Sequence, residues 1–374
     1  MVKLKKYLNL LVISLLLYSC NVSNQSENSN GDTLQLKYAK NLLMVEYDAG
    51  IDVQLRNPWD TTQTLHRYWL TETETTSPFP NSTLVHIPLK HVGVFTAVHC
   101  SLLDELGCLD AIAGVCEPEY IHNQGVQNRL KEDRIIDLGS GLNPNLERIM
   151  QIMPDAVMPS PFQDNGGYGR LESIGIPIIE CADYMEVSPL ARAEWMKFYG
   201  RLFGVTKRAD SLFNAVEHDY LATKETASQI KQRPTLVVDR PYSGTWYIPA
   251  GQSTMGIMYQ DAGADYLWSE TPGSGSLPLS QEHVLERAIN ADIWVLKYNQ
   301  DADLTYGQMA SDHPISKEFN AYKNHQVYAC NTHIIPFYEE TPFHPERLLT
   351  DLLQIFHPEL SIFVNNSYFC PLKE

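Results

Sequence analysis

The sequence predicts an α/β protein made of two similar lobes, joined by one long helix and preceded by a β-rich extension. Three observations support this fold class. A segment at 143–158 is repeated in altered form at 279–296, strands alternate with helices on both sides of 189–231, and 34–87 contains strand-like runs. Because strands that alternate with helices favour a parallel sheet, each lobe is expected to be Rossmann-like.

The repeated unit is an amphipathic helix that is followed by an aspartate and an apolar strand. Glu147 lies early in the first copy, and Glu282 lies at the matching place in the second. A repeat separated by about 135 residues indicates two lobes rather than a solenoid, whose repeats are much shorter. Two lobes with a cleft between them suit the capture of a ligand.

The start of the chain is predicted to direct the protein to a membrane surface. Residues 1–19 contain three lysines and then an apolar run from Leu8 to Leu17, which is typical of a signal peptide and too short to span a bilayer comfortably. The run ends in Leu-Tyr-Ser-Cys, which resembles a bacterial lipobox, so we expect lipidation of Cys20. A plain secretory peptide is the alternative. Residues 20–33 are rich in Ser and Asn and are expected to form the flexible tether.

The rest of the chain divides into three predicted regions. Residues 34–188 form the N-terminal lobe, which includes the β-rich extension 34–87, and residues 232–374 form the C-terminal lobe. Between them, residues 189–231 are helical, with apolar side chains at spacings of three and four from Ala209 to Tyr220. A helix of about 22 residues is about 33 Å long, which is enough to run the height of both lobes.

Composition argues against nucleic-acid binding and against a metal site built from cysteines. The formal net charge is −17, and such a surface repels nucleic acid, so nucleic-acid binding is set aside. The six cysteines after Cys20 permit disulfides outside the cytoplasm, but their pairing is open. None of the six belongs to a CxxC pair, which argues against a zinc or iron–sulfur site.

The order of motifs resembles the periplasmic substrate-binding proteins of ABC importers for metal chelates, the helical-backbone group that serves cobalamin, ferric siderophores and haem. The resemblance covers residues 88–359 and leaves the β-rich extension without a role. It rests on these segments in this order: Ala113–Val115, Leu146–Ile149 with Pro154–Val157, Leu171–Pro177, Gly256–Gly263, Ser280–Leu285, His325–Tyr328 and Phe356–Glu359.

The resemblance implies a binding protein rather than an enzyme. The expected ligand is a metal chelate held between the lobes, with no resident cofactor, and the expected partners are an ABC permease and its ATPase. We expect a monomer in the periplasm, held at a bacterial membrane by its lipid anchor. In this family a glutamate at the tip of each lobe pairs with arginines of the permease, and Glu147 and Glu282 match those positions. Both could instead be ordinary solvated carboxylates near a helix N-terminus.

Candidate ligand contacts follow the predicted strands, because ligands of such lobes bind beyond the carboxyl ends of the strands. Aromatic walls suit a large planar ligand, and arginines suit an anionic chelate. Each side chain could instead pack on its own lobe. The candidates are Tyr242, Trp246, Phe162, Tyr168, Arg240, Arg170, Tyr338 and His99.

Two other functions stay open as alternatives. A receptor for bare zinc or manganese would need several histidines to converge, but no HxH or HxxxH pair occurs, and His333 or His99 as an axial ligand of haem iron is a related idea. The histidines considered are His99, His122, His313, His333 and His344. A lipid-anchored hydrolase is less favoured, because the chain has no GxSxG, P-loop, GxGxxG or HExxH motif.

Overall fold

The computed structural model describes residues 31–162, 167–362 and 367–374. The predicted signal peptide, Cys20 and most of the predicted tether lie outside the described residues. Among the described residues, no helix is both long and apolar enough to cross a membrane.

The chain begins with a five-stranded sheet, the β-extension. Its strands lie side by side in sequence order, antiparallel except for the last pair, which is parallel. Leu42, Met44, Val53 and Leu55 alternate along two of the strands and are buried in the main core, as the period of two in a strand requires. The strands are β1 (Asp32–Thr33), β2 (Leu42–Tyr47), β3 (Gly50–Arg56), β4 (Thr64–Thr71) and β5 (Thr83–His86).

The first lobe is built on a parallel sheet of four strands in the order β8-β7-β6-β9, which makes β6 an inner strand. Three helices connect these strands. The elements are β6 (Val92–Val94), α1 (Ala97–Glu105), β7 (Ile112–Val115), α2 (Gln124–Lys131), β8 (Ile136–Asp137), α3 (Leu146–Ile152) and β9 (Ala156–Met158).

Three helices follow the first lobe: α4 (Pro189–Glu194), α5 (Met196–Leu202) and α6 (Thr206–Ser228). The third has 23 residues, and Ala209, Phe213, Val216 and Tyr220 form its buried face. At 1.5 Å per residue this helix is about 35 Å long.

The second lobe contains a five-stranded sheet in the order β13-β10-β15-β16-β17, parallel except for the last strand, and a separate antiparallel sheet of three strands, β11-β12-β14. Its strands are β10 (Thr235–Val238), β11 (Pro241–Tyr242), β12 (Thr245–Pro249), β13 (Asp265–Tyr266), β14 (Ser276–Ser280), β15 (Ile293–Tyr298), β16 (Val327–Asn331) and β17 (Cys370–Pro371). Its helices are α7 (Thr254–Asp261), α8 (Gln281–Ala288), α9 (Tyr306–Asp312), α10 (Asn320–Lys323), α11 (Phe337–Glu340) and α12 (Pro345–Phe356).

Helix α6 packs against α5 on one side and against α12 of the second lobe on the other. It therefore joins the two lobes through contacts as well as through the chain. This confirms the predicted fold class: two α/β lobes, one long connecting helix and a β-rich extension.

The sequence repeat corresponds to the same local structure in both lobes. The backbone N–H of Asp155 donates to the carbonyl of His91 just before β6, and the Asp155 carboxylate accepts from the backbone N–H of His91. In the second lobe, the backbone N–H of Asp292 donates to the carbonyl of Thr235 in β10, and its carboxylate accepts from the backbone N–H of Thr235. Each aspartate thus fixes the start of the neighbouring strand, which explains why the repeat contains it.

Two groups of side chains join the lobes directly. Glu339 of α11 is buried and accepts hydrogen bonds from the backbone N–H groups of His122 (2.7 Å) and Asn123 (3.0 Å) in the first lobe. Nearby, His344 lies between Glu105 of α1 and Glu346 of α12. Since a buried carboxylate without partners is costly, these contacts favour the arrangement of the lobes seen here.

Candidate functional site

The carboxyl ends of strands from both lobes meet around one cavity, the inter-lobe pocket, of about 320 Å³. The first lobe contributes residues that follow β6 and β7, and the second contributes residues that follow β15 and β16. The lining residues are Thr96, Ala97, Val98, Glu119, Tyr120, His122, Asn299, Thr332, His333, Ile335, Pro336, Phe337, Tyr338 and Glu339.

Aromatic rings and imidazoles dominate the chemistry of the inter-lobe pocket. Tyr120 is 65% exposed and Tyr338 is 62% exposed, so one ring from each lobe is available to a ligand. His122 and His333 line the same cavity, and His333 Nε2 lies 3.2 Å from Asp301 Oδ1. The predicted residue Tyr338 therefore lies at the boundary between the lobes. Tyr120 was not predicted, although its place shortly after the apolar strand β7 was a usable signal.

A larger cavity of about 680 Å³, the first-lobe pocket, lies at the carboxyl edge of the first sheet. It brings together three predicted residues, Phe162, Tyr168 and Arg170. The remaining lining residues are Phe95, Gly141–Glu147, Pro159, Ser160, Gly167, Gly169 and Leu171. Phe95 lines this pocket and the next residue, Thr96, lines the inter-lobe pocket, so the two pockets are adjacent along the end of β6.

Tyr168 is held in a fixed orientation at the first-lobe pocket. Its hydroxyl donates to Glu180 Oε1 at 3.0 Å. Burial, and then the negative charge of Glu180, raise the pKa of Tyr168 far above its usual value, so the hydroxyl stays protonated and remains a donor. Arg170 is exposed and has no ion-pair partner among the described residues, so its guanidinium is available to an anionic group.

A partly buried ion pair lies at the matching edge of the second lobe, with the side chains of Lys297 and Asp239 16% and 23% exposed. Asp239 follows β10 in a left-handed conformation (φ 56°), and its Oδ1 is 2.8 Å from Lys297 Nζ. Burial lowers the pKa of Lys297, but Asp239 raises it by more, so the ammonium stays charged. Lys297 Nζ also lies 5.9 Å from the ring centre of Phe337, which lines the inter-lobe pocket. Sequence reasoning missed this pair, although an aspartate directly after the apolar strand β10 marked the place.

The structure corrects the role expected for Trp246. This side chain is fully buried, donates from Nε1 to the carbonyl of Val238 (2.9 Å) and stacks on Trp294 with ring centres 5.6 Å apart. Side chains alternate along β12, so Trp246 faces the core and Tyr247 faces solvent. Trp246 therefore packs the second lobe and offers no surface to a ligand.

His99 is also an internal residue rather than a cleft residue. It is 2% exposed, and its Nε2 lies 2.9 Å from both Asp183 Oδ1 and the hydroxyl of Tyr199. Burial lowers the pKa of His99, but Cys181 and Asp183 raise it by more, to about 10. A protonated His99 bound to Asp183 stabilises the interior of the first lobe, which overturns its prediction as a ligand contact.

Neither Tyr242 nor Arg240 lines the first-lobe pocket or the inter-lobe pocket. Tyr242 is 75% exposed next to the tight turn between β11 and β12, where Ser243 and Gly244 both have positive φ angles, as a type I′ turn requires. Arg240 is half-buried, and its charge lowers the pKa of His313 in addition to the effect of burial. Their contact with a ligand stays a prediction.

Glu147 and Glu282 occupy equivalent places in the two lobes. Each is exposed and is the second residue of its helix, α3 or α8. Each helix begins in the same way, because a side-chain oxygen of Asn145 or Ser280 accepts the backbone N–H three residues later. Glu147 also lines the first-lobe pocket. Their docking to a permease stays a prediction.

The histidines considered for metal binding do not converge. Within residues 31–162, 167–362 and 367–374, there is no group of three or more His, Cys, Asp or Glu side chains that could hold a metal ion. His99 and His344 contact carboxylates inside the protein. His122 and His333 line the inter-lobe pocket, and His313 does not.

Comparison with known proteins adds to this geometry. The periplasmic binding protein family matches residues 96–333. An uncharacterized lipoprotein of Methanocaldococcus jannaschii is 26% identical over 364 residues, which cover 90% of this chain and 85% of the relative. The petrobactin-binding protein of Bacillus subtilis is 26% identical over 164 residues, 42% of this chain and 48% of its own.

Solved structures share the fold. A periplasmic haem-binding protein from Pseudomonas aeruginosa superposes with a TM-score of 0.58 at 15% identity, covering 76% of this chain and 99% of that one. This likeness concerns the two-lobed fold. Because the family match extends over more than half of the chain, and its two lobes meet at a cleft, the chain belongs to the periplasmic binding protein family.

Proposed function

We propose that the protein is the substrate-binding lipoprotein of an ABC importer, which captures an iron–siderophore, haem or cobalamin chelate between its lobes and delivers it to the permease. One observation carries this proposal: the inter-lobe pocket is lined by strand ends of both lobes and presents an exposed tyrosine from each. A ligand that touches Tyr120 and Tyr338 together would bind the two lobes to each other.

The size of the cavities favours a large ligand. Small-molecule sites in proteins occupy roughly 300–1,000 Å³. The first-lobe pocket, at about 680 Å³, and the inter-lobe pocket, at about 320 Å³, both lie within that range. The petrobactin-binding and haem-binding relatives support a chelate as the ligand class.

The charges favour a chelate with an anionic group. Arg170 is exposed at the first-lobe pocket and forms no ion pair within the described residues, and a guanidinium pairs well with carboxylate oxygens. Haem and ferric siderophores that bear carboxylates or catecholates meet this requirement more directly than cobalamin does. Lipid attachment through Cys20 is supported by the lipoprotein relative, which matches 90% of the chain.

Binding is tested with a Cys20→Ser protein that is produced from residue 20 onwards without the predicted signal peptide, so that it keeps all of the predicted mature chain but cannot be lipidated. Its six tryptophans report ligand capture by energy transfer to haemin, a ferric siderophore or cyanocobalamin, with N-acetyltryptophanamide as the control for absorption of light by the ligand. We expect saturable one-to-one quenching by one of the three.

Matched variants locate the site. Tyr120→Ala with Tyr338→Ala should weaken binding by roughly 10-fold or more, since buried aromatic anchors dominate such contacts. Tyr247→Ala removes an equally large, half-exposed ring from β12 and should leave binding unchanged. No quenching by any chelate would refute the proposal and direct the search to bare zinc or manganese.

A further inference from the structure

We propose that the β-extension positions a pocket residue: His66 of β4 acts through Glu180 to hold the ring of Tyr168 in place at the first-lobe pocket. This inference rests on the proposed function, because it assigns Tyr168 to ligand binding. His66 is a positioning residue and does not itself line the pocket.

The first step is the contact between Tyr168 and Glu180. Tyr168 is half-buried, lines the first-lobe pocket and donates its hydroxyl to Glu180 Oε1 at 3.0 Å. Glu180 is 7% exposed, so its carboxylate is a fixed acceptor rather than a mobile surface group. The position of the carboxylate therefore determines where the tyrosine ring lies.

The second step joins Glu180 to the β-extension. Its other oxygen, Oε2, is buried without a hydrogen-bond partner among the described residues and lies 3.5 Å from His66 Nδ1. The backbone N–H of Glu180 donates to the hydroxyl of Tyr68, also in β4, at 2.9 Å. Since a buried carboxylate without partners is costly, the imidazole of His66 beside Oε2 favours this position of the Glu180 side chain.

The third step is the fixed orientation of His66. Its Nε2 is 2.7 Å from the hydroxyl of Thr83 in β5, and its ring stacks on Tyr68 with ring centres 4.4 Å apart. Neighbouring strands of the β-extension thus aim Nδ1 at Glu180. Because the family match begins at residue 96, this chain supports a pocket residue with a segment outside the shared region.

A double-mutant cycle tests the proposal on the Cys20→Ser protein with haemin, a ferric siderophore and cyanocobalamin as probes. For whichever probe binds the parent protein, His66→Ala should weaken affinity by roughly 3- to 10-fold, and Tyr168→Phe by a similar factor. In the Tyr168→Phe background, His66→Ala should change affinity less than 2-fold, because the hydroxyl that it positions is already gone. His66→Gln keeps a polar side chain near Thr83 but lacks the ring that stacks on Tyr68. It serves as a second variant in case His66→Ala folds poorly, and the same pattern across the two backgrounds is expected.

The control is His86→Ala, which removes an exposed histidine from β5 of the same extension and should leave affinity unchanged. Equal loss of affinity from His66→Ala in both backgrounds would overturn the proposal, since a general weakening of the fold has that effect. No loss in either background would overturn it as well.

Hydrogen exchange separates this proposal from the proposed function. In ligand-free protein, exchange of the segment 167–175 should rise in His66→Ala but not in His86→Ala. If no probe binds the parent protein while exchange rises, the proposed function fails and the link from His66 to Tyr168 stands. If a probe binds and exchange is unchanged, the link fails and the proposed function stands.

Discussion

His344 is a buried histidine whose charge joins the lobes. It is 4% exposed and lies between Glu105 of the first lobe and Glu346 of the second. Burial lowers its pKa, but the two carboxylates raise it by more, to about 9. Because the folded pKa lies above the usual value of about 6.5, the stabilisation is complete below that pH and is lost as pH rises through about 9.

We therefore expect the free energy of unfolding to fall between pH 6.5 and 9, by about 1–2 kcal/mol after allowance for the exposure of Glu105. Chemical denaturation at several pH values measures it. His344→Gln should show a shallower decline, because His99, whose pKa is also raised, still contributes to it. The same slope in both proteins would contradict the assignment.

Trp246 gives the second prediction for a single side chain. It is fully buried against Trp294 and Phe319, so Trp246→Ala should leave a cavity and lower the free energy of unfolding by about 3–5 kcal/mol. Tyr247→Ala, on the opposite face of the same strand, should change it by about 0.5 kcal/mol. If Trp246→Ala is as stable as the parent protein but binds the ligand more weakly, Trp246 contacts the ligand, as the sequence predicted.

These residues show which parts of the structure could be predicted from the sequence and which could not. Trp246, Tyr247 and Ile248 are three consecutive large apolar residues, so the sequence did not show which of them faces the core, and the prediction for Trp246 was wrong. The matched aspartates and glutamates of the repeat correctly indicated two similar lobes. The contact between His66 and Glu180, by contrast, joins residues 114 positions apart and leaves no local pattern. The same holds for Glu339, whose partners lie in the other lobe.

Among the elements, the segment from Lys37 to Asn41 attaches the β-extension to the helices. Its consecutive backbone N–H groups donate to the carboxylates of Glu194 in α4 and of Glu186 just before it, both of which are buried. The strands of the β-extension were predictable from their composition, but this attachment was not, because it depends on two glutamates distant in sequence.

Glu194→Ala should release three of these N–H groups and lower the free energy of unfolding by about 2–4 kcal/mol. Limited proteolysis should then cut the β-extension before the lobes. Glu225→Ala, at an exposed place on α6, is the control and should leave both properties unchanged. An uncut β-extension in Glu194→Ala would mean that its strands alone hold it in place.

At the scale of the whole molecule, the equivalent exposed glutamates Glu147 and Glu282 predict how the protein meets its transporter. Glu147→Ala with Glu282→Ala should abolish uptake, because such charges orient partners at an interface. Glu282 lines neither pocket, so Glu282→Ala alone should reduce uptake while ligand affinity stays unchanged. Uptake of labelled ligand by cells and binding by the purified protein measure the two properties. As the control, Glu286→Ala with Glu132→Ala removes one exposed carboxylate from each lobe and should not affect uptake. Full uptake by the variant that lacks both Glu147 and Glu282 would exclude the docking role.

The attachment of Lys37–Asn41 also has a mechanical consequence. A pull that arrives from residue 31 is resisted first by the pairing of β1 with β2 and next by the hydrogen bonds of Lys37–Asn41 to Glu186 and Glu194. Glu194 lies in α4 and Glu186 just before it, so these hydrogen bonds transmit load to the helices that follow the first lobe. If the chain is lipidated at Cys20 as proposed, tension on the tether would load the β-extension and these helices before it loads the second lobe.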